Sequence, residues 1–100
     1  AGDLVMNLGT REVHRFGEKV HLRRREFNLL MFMMMNSRKI LNRNTILEHV
    51  WESPVGSAST NLIDVYMNNL RKKIDGSHGE KLIQTIHGVG YRLGAESQPA

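Results

Sequence analysis

The residues of this chain best suited to do chemistry are amides. On a helical wheel of about 100° per residue with Ile63 at the origin, Met67, Leu70 and Ile74 gather on one edge. Asn61, Val65, Asn68, Lys72 and, at the margin, Asn69 gather on the opposite face, with Arg71 and Lys73 on the two flanks. An asparagine offers a donor and an acceptor side by side, which matches adenine in the major groove; a valine can touch a thymine methyl, and a lysine can reach guanine or phosphate. Such a face suits the reading of base edges. Amide-rich helix faces are also ordinary solvent surfaces, and Asn is a poor helix former, so the row gains meaning only from what holds it in place.

Other candidate chemistries are weaker. The run Met31, Met33, Met34, Met35 holds thioethers, which bind Cu(I), but on a helix these side chains point in different directions and Met is an adaptable core filler. No predicted helix pairs any of His14, His21, His49, His78 and His87 with a carboxylate at i, i+4, so neither a metal site nor a general base is expected. Gly88-Val89-Gly90 has no helix after it and is not a nucleotide fingerprint, and residues 76–81 lack P-loop order. With no cysteine, disulfides and thiolate chemistry are excluded. No cofactor and no catalytic residue is expected, since no nucleophile–base pair stands out.

The elements that must position the amide row can be read from periodicity. Leu4 to Leu8, Arg11 to Phe16 and Lys19 to Leu22, parted by Gly9-Thr10 and Gly17-Glu18, predict a small antiparallel sheet over residues 1–22. Phe27, Leu30, Met31 and Met34 predict a first helix over 24–36. Its unbroken apolar stretch from Leu29 to Met35 predicts that its other faces are covered as well. Its start carries three arginines, and no Ser, Thr, Asp or Asn caps it. Arg38 to Leu41 reads as a short extended link. Asn42 is a good N-cap for a second helix over 43–51, buried through Ile46, Leu47 and Val50. Residues 52–59 (ESPVGSAS) read as an exposed loop, and the third helix runs over 60–75, ended by Gly76. Leu82 to Ile86 and Tyr91 to Leu93 flank His87-Gly88-Val89-Gly90 as a hairpin, so a domain over 1–94 is followed by a frayed, disordered tail at 95–100.

A chain of 100 residues suffices for one core. No apolar run of about 18 residues and no leader pattern is present, which predicts a soluble, cytoplasmic domain with no membrane contact. A formal charge of +4 and a pI near 9.9 favour a polyanionic partner. The charge is also uneven. Between His21 and Arg43, Arg23, Arg24, Arg25, Arg38, Lys39 and Arg43 face Glu26 as the single anion, and Arg71-Lys72-Lys73 form a second cluster.

With a short helix and loop ahead of the amide row and a glycine hairpin behind it, the order is helix-turn-helix plus wing. LRRREFNLL (22–30), NRNTILEHVW (42–51), TNLIDVYMNNLRKKID (60–75) and LIQTIHGVGYRL (82–93) make the chain resemble the OmpR/PhoB family of response-regulator effector domains over nearly its whole length. The resemblance implies an α+β winged helix-turn-helix: an N-terminal antiparallel sheet, three helices and a C-terminal β-hairpin wing. It implies sequence-specific binding of double-stranded DNA as the output of a two-component phosphorelay that regulates transcription. The third helix would lie in the major groove and the wing would reach toward the minor groove. Homodimers would form head to tail on tandem half-sites. Carried over, phosphate contacts fall on Arg43, Trp51 and Thr85, and recognition-helix contacts on Asn61, Tyr66, Asn68, Asn69 and Arg71. Val65 and Lys72 come from the wheel alone. The loop 52–59 matches the segment through which relatives touch RNA polymerase. The family's acidic receiver domain, on which a cognate sensor kinase acts, is missing from this chain, which therefore reads as a fragment.

Three departures from the family pattern matter. Arg23 stands where Thr is common, removing a cap and adding charge. Asn68 and Asn69 stand where arginines are frequent, which shifts the expected base preference from guanine toward adenine. His87 stands where relatives often carry a wing arginine, so DNA binding should strengthen as pH falls toward about 6. Two readings from other classes compete: a winged-helix module that binds protein, and a small hydrolase. DNA binding separates itself from the first by a steep salt dependence, about 0.9 in log–log slope per phosphate neutralised.

Overall fold

The computed structural model describes residues 4–51, 61–76 and 82–94. Its first element is a three-stranded antiparallel sheet of β1 (Leu4–Asn7), β2 (Glu12–Arg15) and β3 (Glu18–Val20), in that spatial order. The β1–β2 turn is tied by Asn7, whose Oδ1 accepts from the backbone N–H groups of Gly9 and Thr10 at 2.9 and 3.0 Å, the side-chain mimicry of a turn for which Asn is favoured. The β2–β3 connection is Phe16-Gly17, with Arg15 paired to Glu18 and both loop residues at positive φ (53° and 81°). That is a two-residue type I′ hairpin, one residue earlier than the Gly17-Glu18 turn expected. Phe16 accepts a left-handed backbone, and the Arg15 guanidinium lies 4.7 Å from the centre of its ring.

Helix α1 (Arg24–Met35) follows. Its start does have a cap. Glu26, at the third helical position, reaches back to accept the Arg23 backbone N–H at 2.9 Å, so an acid inside the first turn satisfies the N–H of the residue that precedes the helix. Phe27, Leu29, Leu30 and Met33 are buried, but Met35 is 75% exposed, which corrects the expectation that the whole apolar stretch is covered. The methionines do point apart: Met33 enters the core, whereas Met31, Met34 and Met35 line a shallow apolar hollow with Met6 and Leu8.

The link after α1 is more ordered than an extended connector. Arg38 takes a left-handed turn (φ 73°) and its N–H donates to the Leu93 carbonyl at 2.8 Å. Leu41–Asn42 then forms β4. Asn42 also caps α2 (Arg43–Val50), its Oδ1 accepting from the Thr45 N–H at 2.8 Å, as the sequence indicated. Helix α3 (Asn61–Ile74) comes next. Strands β5 (Ile83–Ile86) and β6 (Gly90–Leu93) make the hairpin, and β6 sits between β5 and β4 in a second antiparallel sheet. Gly90 is required there, because a Cβ would overlap the Leu41 carbonyl oxygen and lie 2.8 Å from the Asn42 Cα. One apolar cluster joins all these layers, with Leu29, Leu30 and Met33 of α1, Ile46 and Leu47 of α2, and Ile63, Met67, Leu70 and Ile74 of α3 fully buried against Leu82, Tyr91 and Leu93.

The sheet at the front is locked to the helix at the back by one buried ion pair. Val13 and Arg15 share the inward face of β2, and Arg15 spans to the end of α3, donating to the Ile74 carbonyl at 2.7 Å and to Asp75 at 2.9 Å. Asp75 also accepts the Leu82 and Ile83 N–H groups at 3.0 and 3.1 Å. A buried charge is tolerated only when paired and hydrogen-bonded, and these contacts fix where β5 starts relative to where α3 stops.

Candidate nucleic-acid interface

Helix α3 is amphipathic as the wheel required. Ile63, Met67, Leu70 and Ile74 have no exposed surface, and four such side chains hold the helix axis against rolling. The opposite face is therefore held outward: Asn61, Val65, Asn68, Asn69 and Lys72 are all exposed. Val65, at 56% exposure, is an apolar side chain left in water in the middle of an amide row, as a thymine-methyl contact would need. Lys72, taken from the wheel alone, stands in the same row.

The two flanks of α3 are built differently. On the wing side, the half-buried Arg71 donates to the Thr85 hydroxyl at 2.8 Å and lies over the Tyr91 ring at 5.9 Å. Two of the expected contact residues are thus bonded to each other, and the wing is clamped to the recognition helix. His87 occupies the exposed turn 87–89 at the hairpin tip, where Gly88 takes φ 78°. On the far side, the half-buried Tyr66 meets Trp51 edge to face at 5.0 Å, and the Arg25 guanidinium lies 5.1 Å from the Trp51 ring centre. Trp51 thereby braces α2 against α3 while its own surface stays half open.

Arg43 carries a partner that the sequence did not disclose. Its Nε donates to Asp64 at 2.8 Å, and the same Asp64 oxygen accepts the Tyr91 hydroxyl at 2.5 Å. The Tyr91 hydrogen bond first, and Arg43 second, hold the Asp64 carboxyl below its ordinary range, while burial, then Asp64, pushes the Tyr91 phenol up. This node joins the start of α2, the first turn of α3 and the inner wing strand. Asp64 and Tyr91 are the site residues sequence reasoning missed. An acid in the first turn of a helix was visible, but it already had a sufficient explanation in the helix dipole, and its long-range partners leave no periodic signal.

A second missed pair lies between α1 and α3. Lys73 donates to Glu26 at 2.7 Å, with Glu26 only 3% exposed. Burial pushes the Glu26 carboxyl up, but the Lys73 ammonium and the Arg23 N–H outweigh it and hold it below its usual value. Among the described residues, no group of three or more His, Asp or Glu side chains is arranged to hold a metal ion, and no helix is long and apolar enough to cross a membrane. The loop 52–59 and the tail 95–100 lie outside the described residues.

A three-helix core between two antiparallel sheets, with a hairpin bonded to the flank of an amphipathic third helix, defines a winged helix-turn-helix protein. Residues 17–93 match the family model described as "Transcriptional regulatory protein, C terminal", and the chain belongs to that family, the winged-helix effector domains of OmpR/PhoB-type response regulators. These are non-catalytic modules. The chain is 46% identical over 92 residues to the probable transcriptional regulatory protein TcrX of Mycobacterium tuberculosis, covering 92% of this chain and 38% of TcrX. Among solved structures it is similar to the response regulator DrrB of Thermotoga maritima, an OmpR/PhoB homologue (33% identity, TM-score 0.80, 94% of this chain and 42% of DrrB). It is also similar to the RstA DNA-binding domain of Klebsiella pneumoniae, solved in complex with the RstA box (26% identity, TM-score 0.82, 93% and 92%). The chain spans about two-fifths of the length of the full-length relatives it matches.

Proposed function

We propose that this domain binds double-stranded DNA sequence-specifically and is the output module of a two-component response regulator that controls transcription. The observation that carries this reading is the exposed row Asn61, Val65, Asn68, Asn69 and Lys72 on a helix whose other edge is wholly buried. A row fixed that rigidly can enter a major groove without first being ordered, and a pre-ordered surface loses less entropy on binding. Tyr66 and Arg71 border the row. Arg43, Trp51 and Thr85 would meet phosphates, with Arg43 and Arg71 already oriented by Asp64 and Thr85, and His87 would extend the contact through the wing. The RstA DNA-binding domain, a similar fold solved in complex with its DNA box, supports DNA as the partner.

The wider setting follows from the family. A receiver domain elsewhere in the polypeptide would take the phosphoryl signal from a sensor kinase in the cytoplasm, two copies would occupy tandem half-sites, and the segment 52–59 would offer a surface to RNA polymerase. The direct test is selection of binding sites from random duplex DNA. Asn68→Ala and Asn69→Ala should each change the preferred base at one position, by about 1–3 kcal/mol where a bidentate contact is lost, whereas Arg43→Ala should weaken all sequences alike. Equal losses on every sequence for the two Asn variants would remove the base-reading role. Wild-type binding with a salt slope near zero would point instead to a protein-binding winged helix.

A further inference from the structure

A helix lying in a major groove has a phosphate backbone on each side of it, and on the side away from the wing the contacts proposed so far include no cation of the first helix. On the other side, the start of α1 and the outer edge of α3 together line a cleft of about 330 Å³, formed by Arg23, Glu26, Tyr66, Asn69, Lys72 and Lys73. Its charges do not cancel. Glu26 is bonded to Lys73 and to the Arg23 backbone, and among the described residues of the lining it is the single carboxylate against three cations, the exposed Arg23 at the start of α1 and the exposed Lys72 and Lys73 on α3. Asn69 and Tyr66, both candidate DNA contacts, share the lining. An anion entering beside α3 would meet two cations at once and pass an amide on the way in.

We infer that this cleft is a phosphate clamp, in which Arg23 reaches across from α1 to hold a backbone phosphate of the DNA strand on the side of α3 away from the wing. The inference rests on the proposed docking of α3 in the major groove and adds to it a named contact from the first helix. It gives the Arg–Arg–Arg start of α1 a division of labour. Arg25 stacks on Trp51, Arg24 is exposed outside the cleft lining, and Arg23 faces the interface. The Glu26–Lys73 pair then has a positioning role, because it ties the first turn of α1 to α3 and sets the separation of the walls. The ligand is chemically a phosphodiester, read without regard to base.

The experiment uses this domain and a duplex obtained by the selection above. The affinities of wild type, Arg23→Ala, Arg23→Lys and Arg24→Ala are measured between about 50 and 200 mM salt. One phosphate contact contributes about 0.9 to the log–log slope, so the loss of affinity across this fourfold salt range should be about 3.5-fold smaller for Arg23→Ala than for wild type. The sequence preference should stay unchanged, and Arg23→Lys should restore most of the slope. Methylphosphonate substitution, walked along both strands, should find one phosphate whose neutralisation weakens wild type and Arg24→Ala but not Arg23→Ala. A wild-type slope in Arg23→Ala, or the absence of any such position, would overturn the clamp while leaving base reading by α3 intact. Equal slope changes in Arg24→Ala and Arg23→Ala would overturn it too, reducing the effect to net charge. If wild type binds no duplex at all, the DNA-binding proposal itself has failed, which a defect confined to Arg23→Ala cannot mimic.

Discussion

The buried Asp75 offers a quantitative test of how the wing is held against the recognition helix. Its carboxylate is 1% exposed and serves three donors: the Arg15 guanidinium at 2.9 Å and the Leu82 and Ile83 N–H groups at 3.0 and 3.1 Å. Asp75→Ala leaves a buried guanidinium without its counter-charge, which costs about 3–5 kcal/mol, and strands two backbone donors at about 1–3 kcal/mol each. These costs overlap, since water admitted to the gap relieves part of each, so a net loss of about 4 kcal/mol or more is expected. Against a total of about 5–15 kcal/mol for a domain, that brings the variant close to unfolding. Arg15→Met should cost less, because Asp75 keeps its two backbone partners. The combination is the sharper measurement: Arg15→Met introduced into Asp75→Ala removes the stranded cation and should recover stability. Urea unfolding followed by circular dichroism reads all three variants, with the midpoint reporting stability provided the slope is unchanged. A loss below about 1 kcal/mol for Asp75→Ala, or a double variant weaker than either single one, would refute the account.

Gly90→Ala should destabilise by about 1–3 kcal/mol, the range for forced overpacking, because its Cβ overlaps the Leu41 carbonyl; thermal melts check this, and an unchanged midpoint would mean that β4 and β6 are not in register as described. The lowered Glu26 carboxyl means that its pairing stabilises the fold fully above the ordinary carboxylate range and that this is lost as pH falls through the lowered folded-state value. Glu26→Gln should therefore cost about 1–2 kcal/mol at neutral pH and flatten the acid limb of the stability profile, as denaturation at stepped pH would show. With His87 exposed at the tip of the wing, affinity for DNA should rise as pH falls from about 8 to 6; flat affinity in wild type, or equal pH dependence in His87→Ala, would remove that role.

The amide row, the buried edge of α3, the Asn42 cap and the glycine hairpin were all legible in the chain because each is a local matter. Helical periodicity places Ile63, Met67, Leu70 and Ile74 on one side whatever they pack against, and a cap needs only a neighbour three residues away. Where local reading failed, the reason was also specific. Glu26 looked like an isolated acid among arginines, yet it caps the helix it sits in and pairs with Lys73 far along the chain. Leu41 looked like the end of a link and Asn42 like a cap alone because two residues carry no alternation, and only the presence of β6 beside them makes a strand. Met35 looked covered because an apolar run was equated with a buried one, and among the described residues it stays 75% exposed.

What the order of residues determined by itself is therefore which side of each element is apolar, where helices start, and which chemical groups the third helix can offer. Tertiary structure alone decided which charges remain available. Arg15 is buried against Asp75, Arg43 and Arg71 are held in place by Asp64 and Thr85 at the borders of the interface, and Arg23 and Lys72 line one cleft beside the amide row. Periodicity follows from bonds along the chain, but the pairing of charges depends on which distant segments the core brings within about 3 Å, and that distance is set only once the layers have packed.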